Sequence, residues 1–217
     1  MTLSEEDYLK AIYHLKRDTD KEVSTNAIAE RIHTKASSVS DMLKKLAEKE
    51  LIHYKKYQGV TLTEKGKRHA AKIVRKHRLW EVFLVERLHF SWDEVHEVAE
   101  QLEHIKSEKL IKELDAFLGH PKTDPHGDPI PDEEGNIQAF DKVVLSSCKT
   151  GEKGTCIGVK DSSPRFLQYL DKLGIAIGSP IQIVEKEPFD HSMTILNNGN
   201  KINISALVAN HIYIKKR

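Results

Sequence analysis

The chain has 217 residues, 39% of them hydrophobic, with 34 Lys/Arg against 33 Asp/Glu and a formal net charge of +1. That length buries a real core and accommodates two or three small domains. No apolar run is long enough to cross a bilayer, the amino end MTLSEEDYLK lacks the basic-then-apolar layout of a secretion signal, and Cys148 and Cys156 form neither a CxxC pair nor a disulfide framework, so a cytoplasmic protein with reduced thiols and no membrane partner is expected.

SEEDYLKAIYHL predicts a first helix, with Ser4 as N-cap, Asp7 at N3 and an apolar stripe of Tyr8, Leu9, Ile12, Tyr13 and Leu15. After the polar loop RDTDKE, Ser24 or Thr25 caps a short helix that turns Ala27, Ile28 and Ile32 inward. A turn at Thr34 to Ser38 leads into SVSDMLKKLAEKE, where Val39, Leu43 and Leu46 fall at i, i+4 and i+7. LIHYKKYQGVTLT then carries two β-prone runs about Tyr57-Gln58-Gly59, the pattern of a small hairpin. Helix, paired helices and hairpin give the order of a winged helix-turn-helix, in which the second of the paired helices enters the major groove. Its outer residues Lys35, Ser37, Ser38, Asp41, Lys44 and Lys45, with Lys55 and Lys56 on the wing, are the candidate contacts with base edges and phosphates of double-stranded DNA. Charge agrees with that placement: residues 31–78 hold 14 Lys/Arg and 4 Asp/Glu, whereas residues 79–134 hold 5 and 15.

From Glu64 a long helix runs through KGKRHAAKIVRKHRLWEVFLVERLHF. WDEVHEVAEQLEHIK forms a second after a break at Trp92-Asp93, and SEKLIKELDAFLG a third, capped by Ser107 and stopped by Gly119. Leu110, Ile111, Leu114, Phe117 and Leu118 make the third helix apolar on more than one side, the mark of a homodimer contact. Four of the seven prolines lie between Pro121 and Pro131, which reads as a linker. Beyond it, FDKVVLSS, TCIGVK, SPIQIVEKE, SMTIL, KINIS and HIYIKK read as strands, with Asn198-Gly199 as a hairpin turn and SSPRFLQYLDKLG as a helical interruption. The expected fold is α+β and multidomain: a winged helix-turn-helix at 1–70, a helical metal-binding and dimerisation domain at 71–120, a Pro-rich linker at 121–139 and a small β-barrel at 140–217.

The metal expectation comes from HEVAEQLEH. On a helix, His96, Glu100, Glu103 and His104 fall at i, i+4, i+7 and i+8, beside a buried stripe of Val95, Val98, Ala99, Leu102 and Ile105. One helix earlier, His77 and Glu81 interrupt the apolar series Ile73, Leu84 and Leu88. A solvated acidic face is the plainer reading of either stretch alone. Together they place carboxylates where burial without a partner costs several kcal/mol, a cost that a divalent cation removes. Carboxylates and imidazoles without thiolate favour manganese or iron(II), with zinc or cobalt also able to bind. No HExxH, inverted HxxEH, GxxxxGK[ST] or GxSxG pattern occurs, so an enzyme is not expected.

SEEDYLKAIYHL, AIAERIHTKASSVSDMLKKLAEKELI, VTLTEKGK, RKHRLWEVFLVERL, VHEVAEQLEHIKSEKL and HPKTDPHGDPIP together resemble the DtxR/MntR family of metal-dependent transcriptional repressors. LQYLDKLGIAIGSPIQIVEKEPF is similar to the SH3-like, FeoA-type domain of its longer members. The resemblance implies one metal site from His77, Glu81 and His96 and a second from Asp7, Glu100, Glu103 and His104. Asp7 and Glu100 stand where iron-responsive members have Met and Cys, which resembles the manganese-responsive branch. Two departures are visible. Lys10 replaces a further ligating Glu of the short manganese-responsive members, and KDSSPRF, with Asp161 and Ser162, stands where longer iron-type members supply a Glu and a Gln. The implied function is a manganese-responsive repressor of metal-homeostasis genes that binds a palindromic operator as a homodimer. Iron(II) response is the alternative, and a metal-independent winged-helix DNA binder stands behind both.

Overall fold

The computed structural model describes residues 1–17, 22–55, 58–138 and 140–217, which form two compact units. The first comprises Met1–Trp80, Glu100–Glu113 and Ile130–Ile137, and the second Glu81–Ala99, Leu114–Pro129 and Gln138–Arg217.

In the first unit, α1 (Leu3–Arg17), α2 (Thr25–Arg31) and α3 (Ala36–Glu48) precede β1 (Ile52–Lys55) and β2 (Gly59–Leu62), the expected winged helix-turn-helix order. The cap of α1 differs from the expected one. Thr2 Oγ1 accepts from the Glu5 amide at 3.3 Å while Glu5 Oε2 accepts from the Thr2 amide at 3.0 Å, a reciprocal capping box. Glutamate has the extra methylene needed to reach back over the turn, and Asp7 does not. Asp7 therefore lies deeper in the helix than N3 and has no part in its start.

Ser24 caps α2, accepting from the Ala27 amide at 3.1 Å. Val39, Leu43 and Leu46 of α3 are fully buried, and they share a core with Tyr8, Leu9 and Ile12 of α1, Ile28 of α2 and Val60 of β2. The strands pair antiparallel from Ile52 opposite Leu62 to Lys55 opposite Gly59. Lys56 and most of the RDTDKE loop lie outside the described residues.

The boundary between the units falls within α4 (Glu64–Leu88), after Trp80. α5 (Val95–Leu102) is shorter than the sequence pattern implies, because the Ile105 amide turns back to the Leu102 carbonyl at 3.1 Å. Glu103 and His104 thus sit in the turn after α5, not on its face. α6 (Glu108–Phe117) starts at the expected cap, with Ser107 Oγ accepting from the Leu110 amide at 3.2 Å, and Gly119 follows at φ +74°. Leu114 and Leu118 are buried, while Leu110 and Phe117 are 40% and 61% exposed. Residues 121–139, read as a linker, carry buried side chains: Asp124 and His126 in the second unit, Ile130 in the first.

The second unit holds β3 (Val143–Val144), β4 (Lys153–Val159), α7 (Pro164–Lys172), β5 (Pro180–Lys186), β6 (Met193–Asn197), β7 (Asn200–Ile204), α8 (Ala206–Ala209) and β8 (Ile212–Lys216). The strands form one antiparallel sheet in the order β3-β8-β4-β5-β6-β7, bulged between Cys156 and Gly158 and between Ile183 and Glu185. Cys156, Leu167, Leu170, Ile183, Ile195 and Ile214 are among its fully buried core residues. The β6–β7 turn is the expected Asn-Gly one, with φ of 48° at Asn198 and 84° at Gly199. No helix among the described residues is long and apolar enough to cross a membrane.

Candidate metal centres

The first unit gathers four of the expected ligands around one turn of α1. His104 Nε2 lies 3.2 Å from Asp7 Oδ1, and Lys10 Nζ lies 3.3 Å from Glu100 Oε1 and 2.8 Å from Glu103 Oε2. Ligand atoms of Asp7, Glu103 and His104 fall within 4.8 Å of one another, a spacing that one cation spans. Glu103 is fully buried. Its Oε2 also contacts His77 Nδ1 at 2.6 Å, while its Oε1 is buried with no hydrogen-bond partner among the described residues. A buried carboxylate oxygen without a partner costs about 1–3 kcal/mol or more, which makes Oε1 an open ligand position.

The electrostatics describe the same place. Burial pushes the Asp7 carboxyl above its usual range, with His104 pulling it down and Glu103 pushing it further up. Burial also acts to raise Glu103, and His77 and Lys10 outweigh it, holding the group below its usual range and therefore ionised. An ionised carboxylate beside a destabilised one, with an imidazole facing both, is a donor set that suits a hard or intermediate divalent cation.

His77 has its Nδ1 on Glu103 in the first unit and precedes Glu81 by one helical turn in α4. Glu81 and His96 meet in the second unit, with Glu81 Oε1 3.5 Å from His96 Nδ1. Two residues of the stretch that reads as a linker join Glu81 there. Glu81, Asp124 and His126, all buried, also bring ligand atoms within 4.8 Å of one another. His126 Nδ1 lies 3.7 Å from Glu81 Oε1, and Nε2 lies 2.7 Å from the Trp92 carbonyl oxygen. Asp124 Oδ1 accepts from the amides of His126 at 2.9 Å and Asp128 at 3.0 Å, so the DPHGD turn is built around it. Gly127, at φ +83°, faces the Ile157 carbonyl where any Cβ would collide, and this close approach lets the His126 carbonyl accept from Val159 at 2.9 Å. The available signal was an Asp-x-His pair ahead of a glycine, hidden by the proline content.

Burial acts to lower His126, but the Glu81 carboxylate outweighs it, with help from Asp124 and the Trp92 carbonyl, and the imidazole is pushed up to about 9. A group raised in this way stabilises the fold fully below its unfolded pKa of about 6.5, and the contribution is lost as pH rises through about 9. The metal-free chain should therefore lose on the order of 3 kcal/mol of stability between those two values. Urea denaturation at both pH values measures this loss, and His126→Asn should remove it.

On α3 and its N-cap Lys35, the expected DNA-facing residues Lys35, Ser37, Ser38, Asp41, Lys44 and Lys45 are all exposed, as is Lys55 at the end of β1. Lys44 and Asp41 pair at 3.1 Å in solvent, a contact that either residue can give up to a phosphate or a base at little cost.

Three family models cover most of the chain: the N-terminal DNA-binding domain of iron-dependent repressors over residues 1–60, their metal binding and dimerisation domain over residues 63–132, and the FeoA domain over residues 143–216. An uncharacterized HTH-type transcriptional regulator of Methanocaldococcus jannaschii is 37% identical over 118 residues, 54% of this chain and 94% of that protein. The iron-dependent repressor IdeR of Mycobacterium tuberculosis is 36% identical over 126 residues, 58% of this chain and 54% of that protein. A solved structure of a manganese-dependent transcriptional repressor in complex with manganese superposes with a TM-score of 0.88 at 36% identity, covering 98% of this chain and 100% of that one.

Proposed function

The chain belongs to the iron-dependent repressor family, and on that premise we propose that it is a manganese-responsive transcriptional repressor that binds a palindromic operator as a homodimer. The observation that carries the metal part is the buried Oε1 of Glu103, without a hydrogen-bond partner among the described residues, beside Asp7 and His104. Asp7, Glu100, Glu103 and His104 would hold one ion, and Glu81 and His96, together with His77 or with Asp124 and His126, a second.

Bound at the first site, a divalent cation supplies the positive charge that lets three carboxylates and an imidazole converge. The rest follows from where those residues stand. Asp7 belongs to α1, whose Tyr8, Leu9 and Ile12 pack in one core with α3. Glu103 and His104 belong to the turn between α5 and α6, and α6 carries exposed Leu110 and Phe117 for a partner subunit. Drawing Asp7 toward Glu103 and His104 fixes the reading helix against the dimer-forming segment. That sets the separation of two reading helices, which major-groove half-sites require to be about 34 Å. The thiolate-free donor set suits manganese and iron(II) alike, and it is Asp7 and Glu100, standing where iron-responsive members have Met and Cys, that support the manganese reading.

A titration of operator affinity with manganese, iron(II), zinc and cobalt tests the proposal. Manganese should tighten binding by about 5- to 150-fold, the usual range of such coupling, and a chelator should reverse it. Equal affinity with and without metal would sink it in favour of a metal-independent binder. Operator binding activated by iron(II) but not by manganese would select the iron-responsive alternative, which the likeness to IdeR supports. Separately, Lys44→Ala and Lys45→Ala should each weaken binding to all sequences alike and reduce the slope of log affinity against log salt by about 1. Fluorescence anisotropy across a salt series measures that slope.

A further inference from the structure

Glu6 is 6% exposed, yet it neither caps α1, which Thr2 and Glu5 do, nor belongs to the Asp7, Glu103 and His104 cluster. A carboxylate is buried at such cost only where something answers it. Here His104 does: its Nδ1 lies 2.8 Å from Glu6 Oε2, and its Nε2 faces Asp7 Oδ1 at 3.2 Å.

We propose that Glu6 is a positioning residue of the metal site, holding the proton of His104 on Nδ1 and so presenting Nε2 as the ligating nitrogen. The inference rests on the metal-site reading above and adds to it a residue that would touch no metal. An imidazole binds a cation only through a nitrogen that carries no proton, and the hydrogen bond made by one nitrogen decides the state of the other. With Nδ1–H donated to a buried carboxylate, the lone pair stays on Nε2, on the side where Asp7 lies. A carboxylate in this position also fixes the plane of the ring. Glu6 and Asp7 are consecutive on α1, so the ligand and the group that orients a second ligand arrive on one rigid element.

Two measurements test this on the full-length chain. In nitrogen-15-labelled protein loaded with zinc, long-range proton–nitrogen correlations should show His104 Nδ1 protonated and Nε2 ligated, and ligation through Nδ1 would overturn the proposal. Manganese titrations followed by electron paramagnetic resonance should show Glu6→Met, which keeps bulk but loses the acceptor, weakened by about 10- to 100-fold. Glu6→Gln, whose carbonyl oxygen still accepts from Nδ1–H, should lose less than about tenfold. Native affinity in folded Glu6→Met would overturn the assignment, and if that variant does not fold the zinc experiment decides. Asp7→Asn separates the two levels of the argument. If it weakens manganese binding while Glu6→Met does not, the positioning role alone fails. If the unaltered chain takes up neither metal, the site reading fails and this inference with it.

Discussion

Glutamine in place of Glu103 is expected to weaken manganese binding by about 100-fold or more and to abolish metal-dependent operator binding. Loss of a supporting hydrogen bond to a metal ligand typically costs 10- to 100-fold, and here a ligand itself loses its charge. The substitution keeps the shape of a fully buried side chain, so the core is not opened. Its carbonyl oxygen still accepts from Lys10 or His77, whereas the position of Oε1, now without charge, no longer draws a cation. The metal-free fold should lose only about 1–3 kcal/mol, the cost of leaving part of a buried polar network unanswered. Manganese resonance titration, operator anisotropy and urea denaturation on one preparation separate these effects. Unchanged manganese affinity in this variant would remove Glu103 from the site.

Lys10→Met should act in the opposite sense, tightening manganese binding by about tenfold or more. Its ammonium lies 2.8 Å from Glu103 and 3.3 Å from Glu100, so it neutralises the same carboxylates that an incoming ion would use. Like charges a few ångströms apart repel by more than 1 kcal/mol even with substantial solvent screening, and removing one relieves that repulsion. The metal-free protein should become less stable as the metal-bound form gains. Isothermal titration calorimetry and thermal denaturation with and without manganese would show the crossing. Weaker manganese binding in Lys10→Met would mean that the lysine serves chiefly to hold Glu103 in place.

The winged helix-turn-helix was legible because its signals are local. Val39, Leu43 and Leu46 keep helical spacing, Ser24 caps α2, and β2 opens on a glycine. Misplacements arose where tertiary contacts outrank pattern. HEVAEQLEH reads as continuous helix, but the chain turns at Leu102, and Glu103 and His104 reach Asp7 through that turn. Ser4 and Asp7 resemble a capping pair, but Glu5, with one more methylene, reaches back to Thr2. Asp124 and His126 fall in a proline-dense stretch that signals a spacer, and only their burial beside Glu81 marks them as candidate ligands. The support that Glu6 gives His104 spans 98 positions of sequence, and no local rule anticipates it.

Three consecutive acids of α1 serve two partners. Glu5 Oε1 pairs with Lys49, just past the end of α3, at 2.6 Å; Glu6 and Asp7 address opposite nitrogens of His104. Because a helix shifts as a stiff body, a nudge of one ångström at Asp7 is delivered nearly undiminished to the pair at Lys49. Deleting a single residue between Tyr8 and Ile12 would leave this toothed edge untouched while turning the apolar stripe behind it by about 100°. The key would still be cut correctly and would no longer turn the lock.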